Sequence, residues 1–281
     1  LTAGGEAALG ARSRFAGHLE LATAGAGTTA VEGTIAVDDQ VSLNLAWRWQ
    51  GGDAASLVEL ATATGGLKLP AGYDLDGNLS ASGVVSGTLQ APIVTVEVAV
   101  EQARARPTDS GARWSAIVPH ALLRLAWDPT TRDLEVSLPA TAAVVHLPPL
   151  EPLELQLSAE GSLDPAARFV RLDRLELEAP GVGRAQASGS GGGATPFSAQ
   201  LHVDVPEVER VRATLRPLLD VVPGDLALSG GAAANLAITL SADGAWTAAG
   251  PVTLRQAGFT STDGARIAEG LSGLLELQAA G

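Results

Sequence analysis

The sequence has 281 residues, enough for one large domain or two ordinary ones, and 46% of them are hydrophobic, which excludes a disordered, charge-dominated chain. The formal net charge is −13 and Lys68 is the only lysine, so the clustered positive charge that nucleic acid or an anionic membrane surface requires is missing. Cysteine is absent, which excludes disulfides and thiolate metal sites. We therefore expect no nucleic-acid partner.

The chain contains no methionine and begins at Leu1. This predicts a piece of a longer polypeptide, whose membrane anchor would lie outside the sequence. No run of about 18 apolar residues is present, so no membrane-spanning helix is expected within it. We predict a single elongated segment, residues 1–281, with sub-modules at 1–80, 81–200 and 201–281.

The N-terminal part of the chain predicts strands separated by turns. From residue 41 to 49 apolar and polar side chains alternate strictly, which is the pattern of a strand with one apolar face. The glycine-rich run 24–27 and the pair Asp38 and Asp39 supply turns. Predicted strands cover residues 17–22, 28–38, 41–49 and, more weakly, 56–64.

The central part continues the same pattern. The small residues of 73–89 predict two strands joined near Gly83 or Gly87, and a polar loop is predicted at 104–111. Asp128 and Pro129 begin a predicted hairpin turn that ends at Arg132. Further strands are predicted at residues 94–100, 114–118, 121–127 and 134–138.

The most regular alternation lies at residues 153–163, where every second side chain is apolar or small and every residue between is polar. In residues 169–179 the apolar positions change parity at Asp173 and Arg174, which predicts a β-bulge. Gly189 to Ala194 is predicted to be a loop. The remaining predicted strands are residues 201–205, 226–228, 236–240, 252–255 and 274–279.

One helix is predicted, at residues 206–216. Pro206 suits its first turn, and Glu207 and Glu209 suit its positive N-terminal end. Many strands and one helix predict a mainly β fold: a long, curved and twisted antiparallel sheet that forms an elongated hydrophobic groove. The helix would close one end of the groove as a plug, or merely cap the sheet.

The residue types that carry chemistry are scattered. The four histidines, His18, His120, His146 and His202, have no metal-ligand spacing. The glycine runs lack the pattern of a nucleophile elbow or of a dinucleotide-binding loop. The carboxylates occupy the polar positions of predicted strands. We therefore predict a protein that is not an enzyme and that needs no cofactor or metal.

The apolar face of such a sheet needs a cover. An outer-membrane barrel is disfavoured, because one Tyr and four Phe are too few to build its two aromatic girdles. A closed sandwich or barrel core, or a β-solenoid with a structural or adhesive role, remains open. The third alternative is a groove that is open along its length. Its aliphatic side chains would contact lipid acyl chains, which satisfy such a face as well as protein side chains do.

Four runs favour the groove through a resemblance to a known family. They are Ser86-Gly87-Thr88-Leu89-Gln90-Ala91-Pro92, Val203-Asp204-Val205-Pro206, Leu226-Ala227-Leu228-Ser229-Gly230 and Gly270-Leu271-Ser272-Gly273-Leu274-Leu275-Glu276-Leu277. In order and character they resemble the AsmA-like, or TamB-like, proteins of bacteria, over roughly residues 80–281.

The resemblance implies a role in biogenesis of the outer membrane. It implies a periplasmic protein of the cell envelope, anchored to the inner membrane through another part, that carries phospholipids between the two membranes. Its partners would be phospholipid acyl chains, and proteins of both membranes at the ends of the full chain.

The candidate groove residues are the apolar members of the clearest alternating runs. They are Val41, Leu43, Leu45, Val94, Val96, Val98, Leu153, Leu155, Leu157, Leu201, Val203, Leu236, Ile238 and Leu240.

Overall fold

A computed structural model describes most of the chain as β-strands with one helix. The described residues are 2–8, 13–23, 27–53, 73–108, 114–148, 151–193, 195–215, 226–241, 244–261 and 267–281. They form fifteen strands that are hydrogen-bonded to one another in chain order. Every pairing from β1 to β7 and from β10 to β15 is antiparallel. The predicted mainly β, open antiparallel sheet with one short helix is therefore confirmed.

The chain divides into two compact units, the first of which comprises residues 1–141 and 163–165. Its strands are β1 (Thr2–Ala8), β2 (Ser13–Thr23), β3 (Gly27–Val37), β4 (Val41–Asp53), β5 (Tyr73–Thr88), β6 (Ala91–Pro107), β7 (Ser115–Asp128) and most of β8 (Asp133–His146).

The second unit comprises residues 142–162 and 166–281. Its elements are most of β9 (Leu153–Asp164), β10 (Phe169–Ala179), β11 (Gly183–Gly192), β12 (Thr195–Val205), the helix α1 (Val208–Leu215), β13 (Leu226–Leu240), β14 (Trp246–Ser261) and β15 (Ile267–Ala280).

Few side chains are buried. Among the described residues Ala248 is the one buried hydrophobic side chain, and no large side chain is fully buried. The aliphatic residues that the strands bring together therefore stay half-exposed instead of forming a sealed core.

Several local predictions are confirmed. Strands β4 and β6 alternate between half-buried apolar and exposed polar residues, as their sequences predict. The predicted bulge in β10 is present, because the pairing of β10 with β11 shifts between Leu172 and Leu175. The predicted hairpin turn joins β7 to β8, where the Asp128 side chain accepts a hydrogen bond from the backbone N–H of Thr130 at 2.7 Å.

Predictions based on small residues were wrong. Residues 73–88 form the single strand β5, and β11 runs through the predicted loop as far as Gly192. Glycine lets neighbouring backbones approach closely: a Cβ added at Gly189 would lie 2.4 Å from the carbonyl oxygen of Ser198. Strand pairing thus overrides the loop propensity of glycine and serine here.

Other boundaries also differ from the predictions. Strand β6 extends to Pro107, into the predicted polar loop, and residues 115–128 form one strand instead of two. β13 joins two predicted strands into one. The strand β1 was not predicted, because its small residues give no alternation. The weak strand predicted at 56–64 lies outside the described residues.

The helix α1 confirms the predicted helix over Val208–Leu215. It is attached to β13, since the Glu209 carboxylate accepts a hydrogen bond from the backbone N–H of Leu228 at 2.9 Å. Glu209 also accepts a hydrogen bond from Arg212 Nε at 2.7 Å. The roles of plug and cap both stay predictions.

Two groups of three strands, β5–β7 and β13–β15, share one pattern of bulges. In each group the middle strand carries one extra residue opposite a glycine of the first strand: Gln102 opposite Gly77, and Gln256 opposite Gly230. All four residues have positive φ angles.

The pairing beyond the bulge is also equivalent in the two groups. Val98 pairs with Leu123 in the first group, and Val252 pairs with Leu275 in the second. The third strands share the run Leu-Leu-x-Leu, which begins at residue 122 in β7 and at residue 274 in β15. The two groups are therefore copies of one structural motif up to Val100 and Leu254, beyond which the pairing of β14 with β15 has two register shifts that the pairing of β6 with β7 lacks.

Candidate functional site

Apolar side chains form continuous rows across the strands of the first unit. Residues directly opposite each other on antiparallel strands lie on the same face of a sheet. One row joins Leu19, Val31, Trp47, Gly83, Val96 and Leu125 on six consecutive strands. A parallel row joins Leu45, Val85, Val94 and Trp127. We call this surface the aliphatic face of the first unit.

The gap that a glycine leaves in the first row is occupied by an indole ring. A Cβ added at Gly83 would lie 2.6 Å from Nε1 of Trp47, so the Trp47 ring lies directly over the glycine. Trp49 covers Gly52 in the same way, with ring carbons 2.0 and 2.1 Å from an added Cβ. The two rings keep the apolar rows continuous where side chains are missing.

The structure places six predicted groove residues together on this face. Each of them is half-buried, and the residues before and after it along the strand point to the opposite face. On β4 they are Val41, Leu43 and Leu45, and on β6 they are Val94, Val96 and Val98.

The second unit has an equivalent surface, the aliphatic face of the second unit. One row joins Leu177, Ala185, Val203, Ala234, Val252 and Leu275, and a parallel row joins Leu175, Ala187, Leu201 and Leu236. Of the predicted residues, Leu201, Val203, Leu236 and Ile238 are half-buried there, while Leu240 is 46% exposed. Several positions in these two rows are alanine, so the side chains on this face are shorter than those on the aliphatic face of the first unit.

The remaining predicted residues lie on β9. Leu153, Leu155 and Leu157 are half-buried and alternate with the exposed Glu154 and Gln156. They form an apolar row along one face of the strand. This is the placement that the alternation in the sequence predicts.

Sequence reasoning missed the aromatic members of the aliphatic face. Trp47, Trp49 and Trp127 share it with the predicted valines and leucines. The signal was present, because all three occupy apolar positions of alternating runs. Restricting the candidate set to aliphatic residues left them out.

The opposite face of the second unit carries hydrogen-bonded ion pairs. Arg174 Nη2 lies 2.7 Å from Glu176 Oε2, and Gln186 Nε2 donates to Glu176 Oε1 at 2.6 Å. These hydrogen bonds, that from Arg174 above all, hold the pKa of the Glu176 carboxyl below its ordinary value. A carboxylate that is ionised and already hydrogen-bonded is poorly suited to proton transfer.

The opposite face of the first unit is similar. Arg124 Nε donates to Glu97 Oε1 at 2.9 Å, across the pairing of β6 and β7. A depression of about 380 Å³ lies nearby, with Glu97, Arg48, Glu32 and His18 among its lining residues. Its walls combine exposed charged side chains with Trp47, Val84 and small residues.

Two of the histidines face polar residues on neighbouring strands. His202 Nδ1 lies 2.7 Å from the amide oxygen of Asn235, which fixes its ring, and His18 pairs across strands with Glu32. In the part of the chain that the structure describes, no three His, Asp or Glu side chains come together in an arrangement that could hold a metal ion.

No helix within the described ranges has the length and apolar character needed to cross a bilayer. The resemblance to the AsmA-like family remains a prediction based on four short runs of sequence. Comparison with known proteins finds no matching family model, no matching curated protein and no matching solved structure.

Proposed function

We propose that this chain is a segment of a periplasm-spanning protein that carries phospholipids between the inner and outer membranes. The acyl chains would lie on the aliphatic faces of the two units, and the headgroups would stay in water. The chain would form no covalent bond with the lipid, so it needs no catalytic group. The AsmA-like resemblance supports the cellular setting.

The observation that carries the proposal is the half-exposure of the apolar rows. Val96 and Leu125 are members of a row across six strands, and both remain half-buried. A sealed β-sandwich would bury such residues, yet Ala248 is the one buried hydrophobic side chain among those described. Surface of this kind on one side of a sheet is typical of proteins that bind apolar ligands.

The energetics favour passage of lipid along such a face. Moving a methylene from hydrocarbon into water costs about 0.8 kcal/mol, so one acyl chain of about 16 methylenes would cost roughly 13 kcal/mol to expose. An aliphatic surface covers part of that chain and lowers the cost in proportion. Transfer from bilayer to protein then costs less the more of the acyl chain is covered, and the part that remains favours release of the lipid to a bilayer.

The polar face and the net charge of −13 are compatible with this role. Exposed ion pairs such as Glu97 with Arg124 keep the outer side of the sheet in water. The negative charge weakens adhesion to anionic bilayer surfaces, so binding would depend on acyl chains rather than headgroup charge.

The first experiment is lipid analysis of the purified protein. We expect phospholipid to co-purify from a bacterial host and to appear in native mass spectra as adducts. Protein that is folded, free of lipid and unable to bind lipid from vesicles would contradict the proposal. It would favour the alternative, a structural or adhesive β-module.

A matched pair of variants gives a sharper test. Val96→Asp places a charge on the aliphatic face, and Thr95→Asp places the same charge on the opposite, exposed face of the same strand. We expect Val96→Asp to remain folded and to transfer fluorescent phospholipid between vesicles several-fold more slowly, with Thr95→Asp close to the native rate. Unfolding of Val96→Asp would indicate a sealed core, because burying an unpaired charge is costly.

A further inference from the structure

Gly52 is a buried glycine whose backbone could carry a side chain. Its φ angle lies outside the left-handed region, unlike the φ angle of 86° at the preceding Gly51. A Cβ added at Gly52 would overlap the ring carbons Cζ2 and Cη2 of Trp49, and the next nearest atom is Cε2 of the same ring at 3.3 Å. The indole of Trp49, and not the backbone, therefore excludes a larger residue at position 52.

A β-bulge brings the ring and the glycine to the same face of the sheet. In a regular strand, residues three apart point to opposite faces. The pairing of β4 with β5 shifts register just before Gly52, so Gly52 pairs with Leu79 while Trp49 pairs with Ala81. Ala81 pairs on its other side with Val98, a member of the aliphatic face of the first unit, and Leu79 follows two residues away on the same face. The bulge thus places Gly52 beneath the Trp49 ring.

The Trp49 ring is folded down against the sheet. Its carbons Cζ2 and Cη2 occupy the place of a Cβ atom, so the benzene half of the indole lies about one bond length above the backbone of Gly52. Side chains in strands ordinarily stand roughly perpendicular to the sheet. An upright indole would project well beyond Thr29 and Ala81, which are its partners on the neighbouring strands. The glycine therefore keeps this part of the aliphatic face low.

The height of the face matters because apolar rows cross β4 at both Trp47 and Trp49. We propose that Gly52 is a positioning residue of the lipid path: it holds the Trp49 indole down and so allows an acyl chain to pass over β4. This inference rests on the proposed function. Gly83 stands in a similar relation to Trp47, but a Cβ added there would also overlap the backbone carbonyl oxygen of Thr95. Gly52 is therefore the position at which the effect of the ring can be tested by itself.

Gly52→Ala is the variant that tests the proposal. The added methyl group would force the Trp49 ring into another rotamer, away from the sheet. We expect transfer of fluorescent phospholipid between vesicles to slow several-fold. The amount of phospholipid bound in native mass spectra should stay close to that of the native chain, because the rest of the aliphatic face is unchanged. Tryptophan emission should shift to longer wavelength as the indole becomes more exposed, and circular dichroism checks that the variant is folded.

Two comparisons separate the effect of the ring from that of the substitution. Gly4 of β1 pairs with His18 on the opposite face, and nothing lies within 4 Å of a Cβ added there. Gly4→Ala should therefore transfer phospholipid at the native rate. In a Trp49→Leu background, Gly52→Ala should leave the transfer rate unchanged relative to Trp49→Leu itself, because no ring remains to be raised.

The outcomes distinguish this inference from the proposed function. A native transfer rate for Gly52→Ala, or equal slowing with and without the Trp49 ring, would overturn the inference and leave the proposed function standing. Unfolding of Gly52→Ala would also overturn it, because the ring would then have no second position. So would a parallel loss of bound lipid and transfer rate, which indicates a merely structural role. A native chain that neither binds nor transfers phospholipid would contradict the proposed function itself, and the role of Gly52 would fall with it.

Discussion

The motif copies β5–β7 and β13–β15 have the same bulge between their first two strands and an equivalent pairing of Val98 with Leu123 and of Val252 with Leu275. They differ in two register shifts that only the pairing of β14 with β15 contains, and in exposure. Leu123 is half-buried in β7, whereas Leu275 at the equivalent position of β15 is 56% exposed. On its second edge β7 pairs with β8, whereas no strand in the described ranges pairs with the second edge of β15. In this fold a leucine is covered chiefly by the strands beside it and much less by a second layer.

The glycines at the bulges test the equivalence most strongly. Gly77 and Gly230 have φ angles of 142° and 83°, and an added Cβ would lie 2.8 Å from Ala103 Cα and 2.3 Å from Gln256 O. We expect Gly77→Val and Gly230→Val each to destabilise the protein by about 3 kcal/mol in urea unfolding. A loss of stability in only one of the two variants would contradict the equivalence of the bulges.

Leucine truncation should separate the two copies. Leu123→Ala removes half-buried side-chain surface, and we expect it to cost about 1–2 kcal/mol. Leu275→Ala removes a side chain that is 56% exposed and should cost about 0.5 kcal/mol or less. Similar costs for the two variants would mean that β15 is covered in solution.

Exchanging alanine and glycine at equivalent positions tests how much space surrounds β7 and β15. Ala121 in β7 and Gly273 in β15 occupy equivalent positions, and nothing lies within 4 Å of a Cβ added at Gly273. Ala121→Gly should therefore cost about 0.5–1 kcal/mol, and Gly273→Ala should gain a similar amount or less. A destabilised Gly273→Ala would show that a neighbour lies close to the strand.

The smallest effect is expected from the ion pair that only one copy has. Glu97 and Arg124 pair across β6 and β7, whereas Pro251 faces Glu276 across β14 and β15. Both members of the ion pair are about half-exposed, so we expect Glu97→Gln to cost roughly 0.2–1 kcal/mol. The loss should shrink at high salt because the charges are screened. A cost above about 2 kcal/mol would indicate that the ion pair is shielded from water.

Much of the fold could be predicted from alternation alone. Strict alternation predicted β4 and the regular part of β9, and the parity change at Asp173 and Arg174 predicted the bulge in β10. These signals are reliable because a strand with one solvated face must repeat every two residues. The same alternation placed the candidate groove residues of β4 and β6 on one face.

The missed features depend on contacts between strands that are distant in the sequence. Gly189 is part of a strand because Leu172 and Ala199 pair with it on either side. The indole of Trp47 covers Gly83, thirty-six residues further along the chain. Local composition contains no information about such partners. The motif repeat was also hidden, since bulge geometry preserves few residue identities.

The order of the strands has a consequence for folding and for the evolution of length. Each strand in the described order pairs only with its neighbours in the chain, so assembly can proceed hairpin by hairpin without closing long loops. Deleting two consecutive strands, such as β11 and β12, would leave the direction of every other strand unchanged. Deleting one would reverse all that follow. A chain of this design can therefore lengthen or shorten in steps of two strands.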